Sequence, residues 1–191
     1  MEPVFINNTA YNNTDFKANP LAKGEYERCT FTHCDLSDTN LSGVKFLDCS
    51  FTGCNLSLAK LSNTLFMEVS FKDCKMLGLR YDQCNPLGLQ FSFQNCSLNH
   101  SSFFGTRIRN TTFKNSQLQE ADFTNCDLSA AVFDNCDLSN ARFENSILEK
   151  ADLRSAQGYS INPELNRIKK ARFSLQGLPG LLDKYGIDIE L

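Results

Sequence analysis

The chain has 191 residues, a formal net charge of -3, 41% apolar and 21% charged side chains, nine cysteines, sixteen phenylalanines and no tryptophan. That is enough for one folded domain with its own core, and the near-balanced charge excludes bulk polyanion binding. No apolar run approaches the roughly 18 to 20 residues of a membrane span, and Met1-Glu2-Pro3-Val4-Phe5 lacks the basic-then-apolar start of a secretory signal, so a cytoplasmic protein with reduced thiols is expected.

Large apolar side chains recur at every fifth residue: Ile6, Tyr11, Phe16, Leu21, Tyr26, Phe31, Leu36, Leu41, Phe46, Phe51, Leu56, Leu61, Phe66, Phe71, Met76 and Tyr81. A helix repeats at about 3.6 residues and a strand at about two, so this period belongs to neither. The position two residues before each is usually small. Cys29, Cys34, Cys49, Cys54, Cys74, Cys84, Cys96, Cys126 and Cys136 all fall on it, which random placement would achieve about once in two million. A unit with one large and one small inward side chain cannot bury its apolar face alone. Neighbouring units must stack as a solenoid.

At Cys84-Asn85-Pro86-Leu87-Gly88 the register slips by two residues. Proline removes a ladder donor and the extra residues must leave the coil, so a kink or bulge is expected near 84–92. A plain insertion would account for it. The period resumes through Phe93, Leu98, Phe103, Ile108, Phe113, Leu118, Phe123, Leu128, Phe133, Leu138, Phe143, Leu148 and Leu153, which makes 1–153 the repeat domain.

Cys34-Asp35-Leu36-Ser37-Asp38, Ala121-Asp122-Phe123-Thr124-Asn125 and Cys136-Asp137-Leu138-Ser139-Asn140 resemble the A(D/N)LXX units of the pentapeptide-repeat family. The resemblance implies an all-β fold, a right-handed quadrilateral parallel β-helix with four pentads per coil. Residues about 20 apart then stack, placing Tyr11, Phe31, Phe51, Phe71, Phe93, Phe113, Phe133 and Leu153 on one face and Phe16, Leu36, Leu56, Met76, Leu98, Leu118 and Leu138 on the next. About 7.5 coils at roughly 4.8 Å each would give a rod about 36 Å long. Asn95, Asn115 and Asn135 share an outward column, where amides are expected to hydrogen-bond along the rod.

Beyond Leu153 the pattern loosens, and Ala171-Arg172-Phe173 recovers one triplet, so 154–191 reads as a last coil and an end segment. Leu178, Leu181, Leu182 and Tyr185 have i, i+3, i+4, i+7 spacing, with Pro179 suited to a first helical turn and Gly186 to a C-terminal cap. This predicts a short helix. The following Ile187-Asp188-Ile189-Glu190-Leu191 alternates as a strand does. Something must cover the solenoid's open end, and Leu178, Leu181, Leu182, Tyr185, Ile187 and Ile189 are expected to do so as an intramolecular cap or as a dimer interface.

No cofactor, metal or catalytic residue is expected. The cysteines lack the C-x2-4-C spacing of structural zinc sites and read as packing residues. Cys34, Cys54, Cys74, Cys96 and Cys136 would share one face at a spacing compatible with disulfides, although parallel side chains oppose bonding, and oxidative cross-linking stays a hypothesis. His33 and His100 point outward without a nucleophile, and no G-x-G-x-x-G or P-loop pattern occurs.

Residues 117–153 carry two basic and eight acidic side chains: Glu120, Asp122, Asp127, Asp134, Asp137, Glu144, Glu149 and Asp152. They serve either solubility or docking into a cationic groove. The two pentad runs and the ending Leu181-Leu182-Asp183-Lys184-Tyr185-Gly186-Ile187 are similar to the Qnr and MfpA quinolone-resistance subgroup. That similarity implies a non-enzymatic homodimeric DNA mimic, joined through its C-terminal segments, that binds DNA gyrase or another type II topoisomerase, confers quinolone resistance and binds neither nucleic acid nor membrane. Two features depart from it: the break is too short for a projecting loop, and residues 72–116 carry six basic and two acidic side chains. The alternative is a structural or scaffolding solenoid for an unrelated protein partner, with Phe5, Phe91 and Phe104, which lie off the central positions, as candidate contacts.

Overall fold

The computed structural model describes residues 3–189. Its geometry is set by the corners. Among the described residues φ is positive at 22 non-glycine positions, each two residues beyond a central position of the repeat, as at Asn8, Asn13, Arg28 and His33. A left-handed residue turns the chain from one face to the next, and it costs most side chains energy that glycine and asparagine largely avoid. Asparagine accordingly fills ten of the 22, with Gly43, Gly53, Gly78 and Gly105 continuing the series.

Between corners the backbone is extended. The strands are β1 (Val4–Asn7), β2 (Ala10–Asn12), β3 (Gly24–Glu27), β4 (Thr30–Thr32), β5 (Lys45–Leu47), β6 (Ser50–Thr52), β7 (Leu65–Lys72), β8 (Leu89–Gln94), β9 (Thr112–Lys114) and β10 (Val132–Asp134). All pair in parallel. The first face is β1-β3-β5-β7, and the second is β2-β4-β6-β7 continued by β8, β9 and β10. Register pairs Tyr11 with Phe31, Phe31 with Phe51 and Phe113 with Phe133. The third and fourth faces hold single bridges, and one series climbs from Asp15 through Asp35, Asn55, Lys75, Ser97, Gln117 and Asp137 to Gln157. This is the expected quadrilateral parallel β-helix.

The core is a column of rings. On the second face Tyr11, Phe31, Phe51, Phe71, Phe93, Phe113 and Phe133 stack at centroid separations of 4.9, 4.5, 5.1, 5.3, 5.2 and 5.0 Å. A second stack runs beside it and changes face. It is Tyr26, Phe46 and Phe66 on the first face, then Tyr81, Phe103, Phe123 and Phe143 on the fourth. Phe91 joins the two, 6.3 Å from Phe66 and 5.4 Å from Tyr81. It takes a position that elsewhere holds a small residue and is buried, so it is core rather than a surface contact.

The same coil carries the break. β8 pairs with β7 through Phe66 and Leu89, then through Val69 and Phe91, with a bulge between. The extra residues form a turn in which the Asn85 side chain accepts the Leu87 N–H at 3.0 Å and the Asn85 carbonyl accepts the Gly88 N–H at 3.2 Å. Leu87 projects into solvent.

At the far end, 3-10 turns at Leu175–Gly177 and Asp183–Tyr185 flank a single α-turn, α1 (Pro179–Leu182), and Gly186 closes it with φ of 57°. The expected helix is therefore one turn, and Leu178 stands at its N-cap. The strand expected from Ile187 does not form over Ile187–Ile189. Alternation alone cannot make a strand where no neighbouring edge supplies the ladder. Glu190 and Leu191 lie outside the described residues.

Candidate partner-binding surfaces

Repeat geometry places each acidic candidate beside the coil above or below it, and several meet arginines there. Arg109 donates to Asp127 through Nε at 2.7 Å and Nη2 at 2.6 Å, while the Ser129 hydroxyl donates to the other carboxylate oxygen. Burial alone would raise the Asp127 carboxyl, but Arg109 and Ser129 hold it below the usual carboxylate range. Arg167 grips Glu149 at 2.7 Å, and Asp152 lies between Arg154 at 2.7 Å and Arg172 at 3.3 Å. Asp137 accepts from the Ser139 hydroxyl and from Gln119 Nε2, both at 2.6 Å, and the Ser139 bond leads in lowering its pKa. Asp134 accepts from Ser155 at 3.1 Å with Lys114 at 4.0 Å.

Three candidates remain more open. Glu120 is exposed and faces His100 at 3.3 Å, Asp122 accepts the Thr124 N–H at 2.9 Å, and Glu144 is exposed without an ion pair among the described residues. Glu120 sits on the corner leading to the fourth face, and Asp122 and Glu144 lie on that face, with Arg142 bridged to Asp122 from the next coil. The eight acids thus do not form one patch. The pairing arginines stand 18 or 20 positions away in the chain, or two. That spacing is visible in the sequence once the coil length is known.

The C-terminal segment both covers and exposes. Gly180 carbonyl accepts the Ile161 N–H at 2.8 Å, Tyr159 packs where side chains at Gly177 and Gly180 would collide with it, and Leu181 rests against the core. Tyr185 donates to Glu164 at 3.1 Å. Of the cap candidates, Leu181 and Leu182 are half-buried, whereas Leu178, Tyr185, Ile187 and Ile189 are exposed, and so is Leu175. Phe5 and Phe104 are also exposed, at 62% and 47%.

All nine cysteines are buried free thiols. Burial pushes the Cys49, Cys126 and Cys136 thiols up to about 12. The amide ladder runs from Asn135 to Asn115 at 3.0 Å, Asn115 to Asn95 at 3.1 Å and Asn95 to Asp73 at 2.8 Å. Among the described residues no cluster of His, Cys, Asp and Glu is arranged to hold a metal ion, and no helix is long and apolar enough to cross a membrane.

The family model for the pentapeptide repeat region matches residues 25–91 and 80–153. The chain belongs to the pentapeptide-repeat family. Among solved structures, this pentapeptide-repeat protein is similar to a trypsin-treated form of QnrB1, a plasmid-mediated fluoroquinolone resistance protein, at 16% identity and TM-score 0.63, covering 96% of this chain and 99% of that one. It is also similar to HetL, a pentapeptide-repeat protein involved in heterocyst differentiation regulation in the cyanobacterium Nostoc, at 16% identity and TM-score 0.71, covering 88% and 85%. No curated protein sequence matches the chain.

Proposed function

We propose that this pentapeptide-repeat protein is a non-enzymatic cytoplasmic rod that dimerises through its C-terminal segment and docks, in place of DNA, on the DNA-binding saddle of a type II topoisomerase such as DNA gyrase. Quinolone resistance is the phenotype this reading predicts. It is carried by the end-to-end likeness to QnrB1, which takes in the C-terminal segment as well as the coils. The exposed Leu175, Leu178, Tyr185 and Ile187 offer apolar area for a second copy. Such pairing would bring the last coils of both copies to the middle of a longer rod. There Glu120, Asp122 and Glu144 are the acids best placed to meet a basic saddle, and charge would steer the encounter.

A scaffold without DNA mimicry is the second reading. It is favoured by the arginines that neutralise Asp127, Glu149 and Asp152, and its candidate contacts are Phe5 and Phe104.

The test is gyrase supercoiling of relaxed plasmid with increasing protein, with and without ciprofloxacin, read on a gel. Inhibition, or rescue in the drug lanes, supports the topoisomerase reading, and Asp122→Lys with Glu144→Lys should then remove the effect. No effect in either lane favours the scaffold. Sedimentation should give a dimer that Leu178→Asp with Tyr185→Asp converts to monomer.

A further inference from the structure

The small positions leading to the third face run Cys34, Cys54, Cys74, Cys96, Ser116 and Cys136 along the rod. Each of the three middle thiols donates to the carbonyl of a residue one coil back, Cys54 to Phe31 at 3.3 Å, Cys74 to Phe51 at 3.5 Å and Cys96 to Phe71 at 3.5 Å. Parallel donation holds the thiols in line. Cys74 also interacts side chain to side chain with both Cys54 and Cys96. Beside this pair a surface groove of about 380 Å³ is lined by Asp73, Lys75, Asn95 and Ser97 together with Cys74 and Cys96 themselves. A small solute in that groove needs little rearrangement to reach a thiol that is otherwise sealed in the wall.

We infer that Cys74 and Cys96 form a two-electron redox site, at which a peroxide entering the groove converts the pair to a disulfide between adjacent coils. The column divides the protons suitably. Hydrogen bonding from Cys74 lowers the Cys96 thiol, and the bonds to Cys54 and Cys96 raise that of Cys74. Cys96 as thiolate attacks one peroxide oxygen: the S–O bond forms, the O–O bond breaks, and the departing hydroxide takes up a proton to become water. Cys74 sulfur then attacks Cys96 sulfur. The S–S bond forms as the S–O bond breaks, and the Cys74 proton leaves with the hydroxide as a second water. In total, two thiols and one hydrogen peroxide give one disulfide and two waters. Side chains in register on a parallel ladder must rotate to bond, which makes such a disulfide easily reduced and the site reversible.

The inference is independent of the topoisomerase reading. It is tested by treating the full chain with hydrogen peroxide, titrating thiols and mapping peptides by mass spectrometry without reductant. The expected result is a fall from nine free thiols to seven, with the Cys74 and Cys96 peptides joined and two hydrogen masses lighter, and recovery of nine with dithiothreitol. Cys74→Ser should abolish the link and leave Cys96 as a sulfenic acid trapped by dimedone. The column already accepts Ser116, so this variant should fold, and far-ultraviolet circular dichroism checks it. Nine remaining thiols, oxidation spread evenly over all nine, or a Cys54–Cys74 link would each overturn the assignment.

Discussion

Replacing Phe113 tests whether the ring column is the source of stability. Its side chain is fully buried, stacked between Phe93 at 5.2 Å and Phe133 at 5.0 Å, with edge contacts to Phe103 at 6.0 Å and Phe123 at 6.2 Å. Phe→Ala in a core costs about 3 to 5 kcal/mol, depending on how far the cavity collapses. Here β8, β9 and β10 are fixed by parallel ladders on both sides, which limits collapse, and the lost ring pairs add about 0.5 to 1.5 kcal/mol each beyond area. Phe113→Ala should therefore sit at the upper end, about 4 to 5 kcal/mol. Phe113→Leu should cost only about 1 to 1.5 kcal/mol, since shape and volume are nearly conserved and the same column already ends in Leu153. Urea unfolding followed by circular dichroism suits a chain without tryptophan, provided the slope is shared between variants. A loss below about 1.5 kcal/mol for alanine, or equal losses for alanine and leucine, would refute the packing account.

Other outcomes follow from the corners, the ladder and the carboxylates. Asn115→Gly keeps a residue suited to φ of 48° but removes amide bonds to Asn95 and from Asn135, so it should cost about 1 kcal/mol in urea unfolding, while Asn115→Ala should cost about 1 kcal/mol more by forcing a Cβ into the left-handed region. Ala130→Gly should raise the thermal midpoint, because φ there is 57° and relief of roughly 1 kcal/mol exceeds the entropy glycine adds to the unfolded chain. The Asp35, Asp137 and Asp152 carboxyls are lowered first by Ser37, Ser139 and Arg154 hydrogen bonds, and Asp127 is lowered by Arg109 and Ser129 against its burial. Depressed folded values contribute stability above the unfolded value near 3.9 and lose it as pH falls through the folded values. The thermal midpoint should therefore decline below about pH 4, and a midpoint that climbs on acidification would contradict these pairings.

The fold was legible because the period is unusual. Phe31, Phe51 and Phe71 announce both the inward face and the coil length, and the cysteines confirm the second inward position independently. The amide ladder was legible for the same reason, since Asn95, Asn115 and Asn135 fall in one column. The corner rule was present but less obvious. Asn8, Asn13, Asn63 and Asn110 share a conformation rather than a contact, and residues such as Leu58 and Ala130 obscure the preference. Phe91 looked like a surface residue because a one-dimensional period says nothing about a core whose second ring stack changes face. The acidic surface was the least legible part. Counting charge along the chain groups Asp127 with Glu144, whereas folding gives Asp127 to Arg109 and leaves Glu144 to solvent. Charge in a solenoid is read across coils, at steps of about 18 to 22 residues, as the Arg109–Asp127 and Asn95–Asp73 pairs show.

The central functional claim is that this rod occupies the place of DNA. Its most direct test is binding of the labelled protein to intact gyrase, measured by fluorescence anisotropy, with unlabelled linear duplex DNA added as competitor. The account predicts saturable binding that duplex DNA displaces in proportion to its own occupancy of the enzyme. No binding, or a complex that persists when the enzyme is saturated with DNA, would contradict it.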